Sequence, residues 1–273
     1  MAGSMPVRPR VAQGPAGTYG IVLRVTTEPS PSLTHPTPAE PAQPEPVQPD
    51  PVRPGLARPV VLLDLDGTLS ESAPGITASV AAAYRTLGLP VPTPAELLSF
   101  VGPPLQDSLR AHGVPEDLVG AAITAYRAHY DAGALRETRA YPGVLDALRT
   151  LRAAGCALLV ATSKPQVRAD PVCAYLGIDA LVDGVFGAPP DDVPSSKALV
   201  IASALASVPG HGPAVMVGDR MHDVVGAHSH ALPCLGVAWG YAEPGELADA
   251  DALVDDPADL ARAVLDLLAA TRR

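Results

Sequence analysis

The sequence predicts an α/β fold built on a parallel sheet with helices covering both faces. Three observations carry that reading. From Val60 onward, short apolar runs alternate with helical patterns, which implies a parallel sheet covered on each side. Residues 70–140 interrupt the alternation with helix after helix and no clear strand. Chemically capable polar residues recur just after the apolar runs, and in open α/β sheets ligands sit beyond the carboxyl ends of strands.

The N-terminal residues 1–59 are read as a Pro-rich tail, expected to be disordered. Residues 28–59 contain 11 prolines; proline lacks the amide proton and fixes φ, so this stretch cannot form helix or inner strand and is expected to be extended and solvated. An inert tail and a ligand for a proline-binding module are both open. Tyr19–Thr26 has strand-like composition without an evident partner. VVLLD (60–64) reads as a buried strand. Helices are expected over Gly75–Leu87, Pro94–Phe100, Leu105–Ala111 and Pro115–Tyr130, with a break at Gly102-Pro103-Pro104. A helix running to Ala154 opens at Tyr141-Pro142-Gly143, and CALLVA (156–161) is a strand. A helix leads to Gly177, and LVDGVF (181–186) has strand character. Lys197–Ser207 is helical, AVMV (214–217) a strand, His222–Ala231 a helix and CLGVA (234–238) a strand. Asp256 caps a last helix with Pro257 in its first position; Leu260, Val264 and Leu267 line one face, and Arg272-Arg273 follow its negative end.

Composition excludes several function classes. The chain has 273 residues, 47% hydrophobic and 18% charged, with a formal net charge of −10. Residues 1–59 hold five Arg and four acids, so the remainder carries −11. An acidic body argues against a nucleic-acid partner, which wants a basic face. It does not exclude a small phosphorylated metabolite, which needs only a locally positive site. No apolar run approaches the ~20 residues of a membrane span, and MAGSMPVRPR lacks the apolar core of a secretory signal. Cys156, Cys173 and Cys234 are odd in number, far apart and without a CxxC pair. They read as buried, reduced thiols, and a cytoplasmic location is expected. Of 19 basic residues only Lys164 and Lys197 are lysines. A position that keeps Lys amid so much Arg is a candidate for a site needing a compact ammonium.

The residues just beyond each strand are more specific. After the first strand come Asp64-Leu65-Asp66-Gly67-Thr68, after CALLVA come Thr162-Ser163-Lys164-Pro165, and after AVMV come Gly218-Asp219-Arg220-Met221-His222-Asp223. Asp64 and Asp66, two apart where strand gives way to loop, repel unless a cation or shared proton intervenes. Asp219 and Asp223 add two more carboxylates, a set that suits Mg²⁺. Gly67 lets backbone amides approach an anion, Thr162 offers a hydroxyl and Lys197 a charge near a helix start. Nucleophile, acid/base, metal ligands and phosphate clamp are present as residue types.

In this order the motifs resemble the haloacid dehalogenase superfamily. DLDGT looks like its first motif, ALLVAT its second, Lys197 the lysine of its third, and MVGDRMHD its fourth. The resemblance covers about residues 60–270. DLDGTLSESAPGI, FVGPPLQDSL, AYPGV and GVAWGYAEPGEL are similar to the phosphoglycolate phosphatase branch. It implies a Rossmann-like, doubly wound core over residues 60–69 and 141–273, with a helical cap inserted over residues 70–140. It implies that Asp64 is the nucleophile, forming an aspartyl-phosphate, and that Asp66 protonates the leaving alcohol and then deprotonates water. Thr162 would hydrogen-bond the phosphoryl group and Lys197 would pair with nucleophile and phosphate oxygens. Mg²⁺ would be held by Asp64, the Asp66 backbone carbonyl, Asp219 and Asp223. Two departures stand out: Glu71 replaces the Asp frequent in that branch, and GAPPDDVPSSK is not its usual approach to the third-motif lysine. Lys164 is therefore the alternative clamp.

The implied activity is hydrolysis of small phosphomonoesters, 2-phosphoglycolate among them, by a monomer or homodimer. A phosphomutase, nucleotidase or pyrophosphatase on the same fold, or a non-catalytic phosphate-ligand binder, are the alternatives; Asp66 argues against a dehalogenase. Arg110, Arg127, Arg136 and Arg139 are candidates to read a substrate carboxylate, and His222, His228 and His230 are candidate ligands of a second metal.

Overall fold

The computed structural model describes residues 57–189 and 195–271. Residues 1–56 of the tail, with Tyr19–Thr26, residues 190–194 of the approach to Lys197 and the final Arg pair fall outside the described residues. Residues 57–59, read as tail, instead join the core, where the Arg58 and Pro59 carbonyls accept from the Gly212 and Ala157 amides. No described helix is long and apolar enough to cross a membrane.

The described residues open on β1 (Val60–Leu63). The chain then makes a two-residue strand β2 (Ser70–Glu71) and the helices α1 (Ala73–Thr86), α2 (Pro94–Leu98), α3 (Leu105–Ala111) and α4 (Glu116–Ala132). After a 3₁₀ turn comes β3 (Arg139–Ala140). The alternating part continues as α5 (Val144–Ala153), β4 (Ala157–Pro165), α6 (Gln166–Leu176), β5 (Gly184–Ala188), α7 (Lys197–Ala206), β6 (Ala214–Gly218), α8 (Met221–His228), β7 (Cys234–Val237), β8 (Ala252–Val254) and α9 (Leu260–Ala270).

Six strands form one parallel sheet in the order β5-β4-β1-β6-β7-β8. From β1 in the middle of the sheet the strands are added outward in both directions, so β1 lies between β4 and β6. Leu63 is level with Val160 and Val217. The register therefore delivers the residues after β1, β4 and β6 to one edge, at the switch point of a doubly wound sheet.

Alternation along β1 sorts its side chains onto the two faces. Val61 and Leu63 pack with Leu148, Leu158, Val215 and Val264 under α5 and α9. Val60 and Leu62 pack with Leu159, Ile201, Met216 and Val224 under α7 and α8. All four β1 residues are fully buried, which is why the run is uniformly apolar. The inserted helices have a separate core built on Ile76, Val80, Tyr84, Phe100, Leu109 and Tyr130. All three cysteines are buried and none is in a disulfide.

Several expected boundaries move. The apolar run at 181–186 starts too early for a strand: Leu181 and Val182 amides donate to the Ile178 carbonyl in a turn, and pairing begins at Gly184. The strand read as 156–161 continues through a bulge to Pro165. The helix after β6 stops at His228, before Ala231 adopts φ +54°. The Asp256 side chain accepts from the Ala258 amide as expected of a cap, but it caps a 3₁₀ turn, Pro257–Asp259, that feeds α9. The short strands β2 and β3 pair antiparallel where the chain enters and leaves the helical insert; two residues carry no readable period. β8 is likewise too short to announce itself.

Candidate active site

Asp64 lies just after β1 and is 3% exposed, its amide donating to the Val217 carbonyl. Asp219 lies in the turn after β6 and Asp223 in the first turn of α8, and both are buried. Asp64, Asp219 and Asp223 each offer an oxygen, and the three oxygens lie within 4.8 Å of one another. No other group of three metal-ligating side chains occurs among the described residues.

Each lysine of the chain enters this region. Lys197, at the start of α7, places Nζ 2.7 Å from Asp64 Oδ1 and 2.7 Å from Asp223 Oδ1, and donates to the Ala161 carbonyl at 3.0 Å. Ser196 caps the helix by accepting from the Leu199 amide, which fixes the turn that aims Lys197 inward. Lys164, on the extension of β4, lies 2.8 Å from Asp66 Oδ2 and 5.1 Å from the centroid of the Tyr130 ring. The two lysines thus hold different aspartates. Asp66 is 6% exposed, and its Oδ1 has no hydrogen-bond partner among the described residues. Its carboxylate stands outside the three-oxygen cluster, so the expected set of four carboxylates comes down to three; the family resemblance implies only its backbone carbonyl as a ligand. Thr162 is 1% exposed, and its Oγ1 accepts from the Lys164 amide at 3.2 Å.

Close backbone approach explains two glycines. Gly67 has φ +88°, and a Cβ there would collide with the Asp219 carboxylate; one at Gly240 would strike the same side chain from the other side. Asp219 is thereby held between two loops, accepting from Thr68 Oγ1 at 3.1 Å and from the Tyr241 amide at 2.8 Å.

Burial dominates the electrostatics. It pushes the Asp64 carboxyl up to about 6 although Lys197 pulls the other way; Asp223 and Asp66 add to the rise. Burial, then Asp64 and Asp223, raise Asp219 well above the usual range. Burial works against the Lys197 ammonium, but Asp223 and Asp64 more than offset it and hold it protonated. Three buried carboxylates, only two of which contact the Lys197 ammonium, form a donor set short of positive charge, and hard oxygen ligands in that arrangement fit a divalent cation such as Mg²⁺.

Beside Asp66 and Lys164 a cavity of about 110 Å³ opens against Ile76, Phe100, Pro103 and Tyr126 of the helical insert. One water needs ~10–15 Å³ of such volume, so a group of several heavy atoms fits. Of the four insert arginines singled out in the sequence, only Arg127 lines this cavity. Arg110 makes a bidentate pair with Glu116 at the surface, and Arg136 and Arg139 are exposed. Arg168, not anticipated, also lines the cavity and pairs with Asp131 across the boundary between core and insert. Its only signal in the sequence is a position four residues after Lys164. The histidines do not assemble: His228 Nε2 meets Asp251 at 2.9 Å, His230 Nε2 meets the Ala198 carbonyl at 2.8 Å, and His222 is exposed.

Comparison with known proteins identifies the family and the fold. The family described as haloacid dehalogenase-like hydrolase matches residues 61–237. The tyrosine-protein kinase PtkA of Mycobacterium tuberculosis is 42% identical over 183 residues, 67% of this chain; the chain spans 62% of that relative's length. A 5'-nucleotidase of Pseudomonas aeruginosa is 36% identical over 69% of this chain and 86% of its own. A phosphoglycolate phosphatase of Agrobacterium fabrum is 28% identical over 77% of this chain and 94% of its own. The crystal structure of a predicted phosphatase from Clostridium acetobutylicum superposes with a TM-score of 0.72 at 34% identity, covering 78% of this chain and all of that one.

Proposed function

Since this chain belongs to the haloacid dehalogenase-like hydrolase family, we propose that it is a Mg²⁺-dependent phosphatase of small phosphomonoesters, with Asp64 as nucleophile. The observation that carries the reading is the Lys197 ammonium lying between Asp64 and Asp223, with Asp219 in the same cluster. Asp64, the Asp66 backbone carbonyl, Asp219 and Asp223 would hold the metal, which would supply positive charge to the phosphoryl oxygens.

The chain's own residues then divide the work. A carboxylate oxygen of Asp64 attacks phosphorus, the bond from phosphorus to the alcohol oxygen breaks, and Asp66 gives its proton to the departing alcohol. Water next attacks phosphorus, its proton goes to Asp66, and the bond to Asp64 breaks to release phosphate. Lys197 and the Thr162 hydroxyl meet charge developing on the phosphoryl oxygens. Lys164, 2.8 Å from Asp66, orients the acid/base carboxylate toward the cavity that receives the leaving group. The helical insert, which we assign to residues 70–140, excludes water from that cavity.

The Phe100 and Tyr126 rings in the cavity wall favour a second reading in which the leaving group carries a ring, as a nucleoside does. A phosphate-release panel decides between them. It should include 2-phosphoglycolate, sugar phosphates, nucleoside monophosphates and pyrophosphate, each with and without chelator. ATP with a tyrosine peptide belongs in the same panel to detect transfer to a hydroxyl other than water. Chelator-sensitive release from at least one monoester is expected; no release from any of them would sink the reading.

A further inference from the structure

Arg220 stands between Asp219 and Asp223 in sequence, yet its side chain turns away from both. It is 7% exposed. Its Nε donates to Glu246 Oε1 at 2.8 Å, and its Nη1 donates to the Val101 carbonyl at 2.5 Å. Its backbone stays with the carboxylate cluster: the amide donates to Asp223 Oδ2 at 3.1 Å and the carbonyl accepts from the Asp223 amide at 3.0 Å.

The partner of this guanidinium is itself fixed by the core. Glu246 accepts from the Met221 amide through Oε1 and from the Glu243 amide through Oε2. Burial works against its charge, but Arg220 and these amides more than offset that and hold it ionised. A buried guanidinium is tolerated when its charge is paired and its donors used. Here the core settles the charge, and a further donor is spent on a backbone carbonyl of the helical insert.

That carbonyl belongs to the segment that shapes the cavity. Val101 is fully buried, and its neighbours Phe100, Gly102, Pro103 and Pro104 line the cavity. Gly102 has φ +104°, and a Cβ there would lie 3.0 Å from Arg220 Cγ. The loop can rest on Arg220 because it has no side chain at the point of approach.

We propose that Arg220 is a positioning residue that locks the cavity-lining loop 100–104 of the helical insert onto the carboxylate loop of the core, and so sets the wall against which the leaving group binds. The proposal rests on the phosphatase reading for the cavity's occupant, but the lock itself does not need it. Arg220→Lys keeps the charge but replaces the fork by a single ammonium, which cannot serve Glu246 and Val101 as the guanidinium does. Gly102→Ala disturbs the same contact from the insert side, because its Cβ would press on Arg220 Cγ and φ +104° is strained for any residue with a Cβ.

The test compares 4-nitrophenyl phosphate, whose ring reaches the cavity wall, with acetyl phosphate, whose leaving group is small. In both variants KM for the aromatic ester should rise ~10-fold while kcat/KM for acetyl phosphate stays within ~2-fold, the pattern of lost leaving-group binding. In parallel, amide hydrogen exchange of residues 97–105 should accelerate in both variants while that of 214–219 is unchanged. Equal losses on both substrates, loss on neither, unchanged KM in Arg220→Lys or unaltered exchange in 97–105 would overturn the proposal. If the unsubstituted protein released phosphate from neither compound, the exchange comparison alone would decide the lock, and the phosphate-release panel would decide the phosphatase reading.

Discussion

Lys197 Nζ lies 2.7 Å from Asp64 Oδ1 although 133 residues separate them in the chain. The contact exists because β1 sits in the middle of the sheet and α7 begins beside the same edge. Both side chains are about 95% buried. Removing the ammonium leaves Asp64 and Asp223 facing each other without their shared cation. Lys197→Met should lower turnover ~10²–10³-fold, as loss of a preorganised charge at a transferring group does. Lys197→Arg should not restore it, because a planar fork does not fit where a compact ammonium meets two carboxylates. Steady-state phosphate release on the two variants checks this; near-normal turnover in Lys197→Met contradicts it.

Asp64→Asn should cost at least ~10³-fold in kcat, since an amide cannot form the acyl phosphate. The fold should survive, because burial already opposes the Asp64 charge. Asp66→Asn should also be severe, and should accumulate phosphoenzyme when the leaving group needs no proton, because only the hydrolytic step then lacks its base. Rapid-quench kinetics with 4-nitrophenyl phosphate separates the two: a burst in Asp66→Asn, none in Asp64→Asn.

Much of this site is legible in the amino-acid sequence alone. The uniformly apolar VVLL announces a central strand, and Asp64 and Asp66 just beyond it announce the edge where chemistry sits. The scarcity of lysine is informative too: both lysines hold a buried aspartate. What escapes the sequence depends on contacts between distant segments. Arg220 reads as filler between two aspartates, and nothing local says that it reaches Val101, 119 residues away. The Tyr241 hydroxyl accepts from the Ser72 and Ala73 amides at the start of α1, another partnership that only the fold creates. The insert arginines look alike in the sequence because it does not tell which helix face meets the core.

Metal removal should abolish activity and Mg²⁺ should restore it. Asp219→Ala should raise the Mg²⁺ concentration needed for half-maximal turnover sharply, because Asp219 belongs to the carboxylate cluster and has no lysine of its own. Calcium should inhibit, since its larger and looser coordination misplaces the attacking carboxylate. Titrating activity against each ion after chelation checks all three; full activity in chelator would contradict the account.

A chain beginning at Ala57 should fold and keep its turnover. Arg58 already supplies the edge contacts, donating to the Cys156 carbonyl at 2.8 Å and accepting from the Gly212 amide, and every strand among the described residues begins after it. Its unfolding midpoint should lie within ~2–4 °C of the full chain, the shift produced by ~1 kcal/mol in a domain of this size. Calorimetry on the two chains checks this, and a larger drop would show that residues 1–56 contribute to the packed structure.

The central claim is that Asp64 carries the phosphoryl group between alcohol and water. An acyl phosphate, unlike a free carboxylate, is reduced by borohydride to an alcohol, which converts the aspartate to homoserine. The protein should be mixed with Mg²⁺ and its best monoester, quenched during turnover, reduced and digested. The account predicts homoserine at position 64, dependent on both substrate and metal and absent in Asp64→Asn. Homoserine at another aspartate, or steady turnover with position 64 unmodified at every quench time, would contradict it.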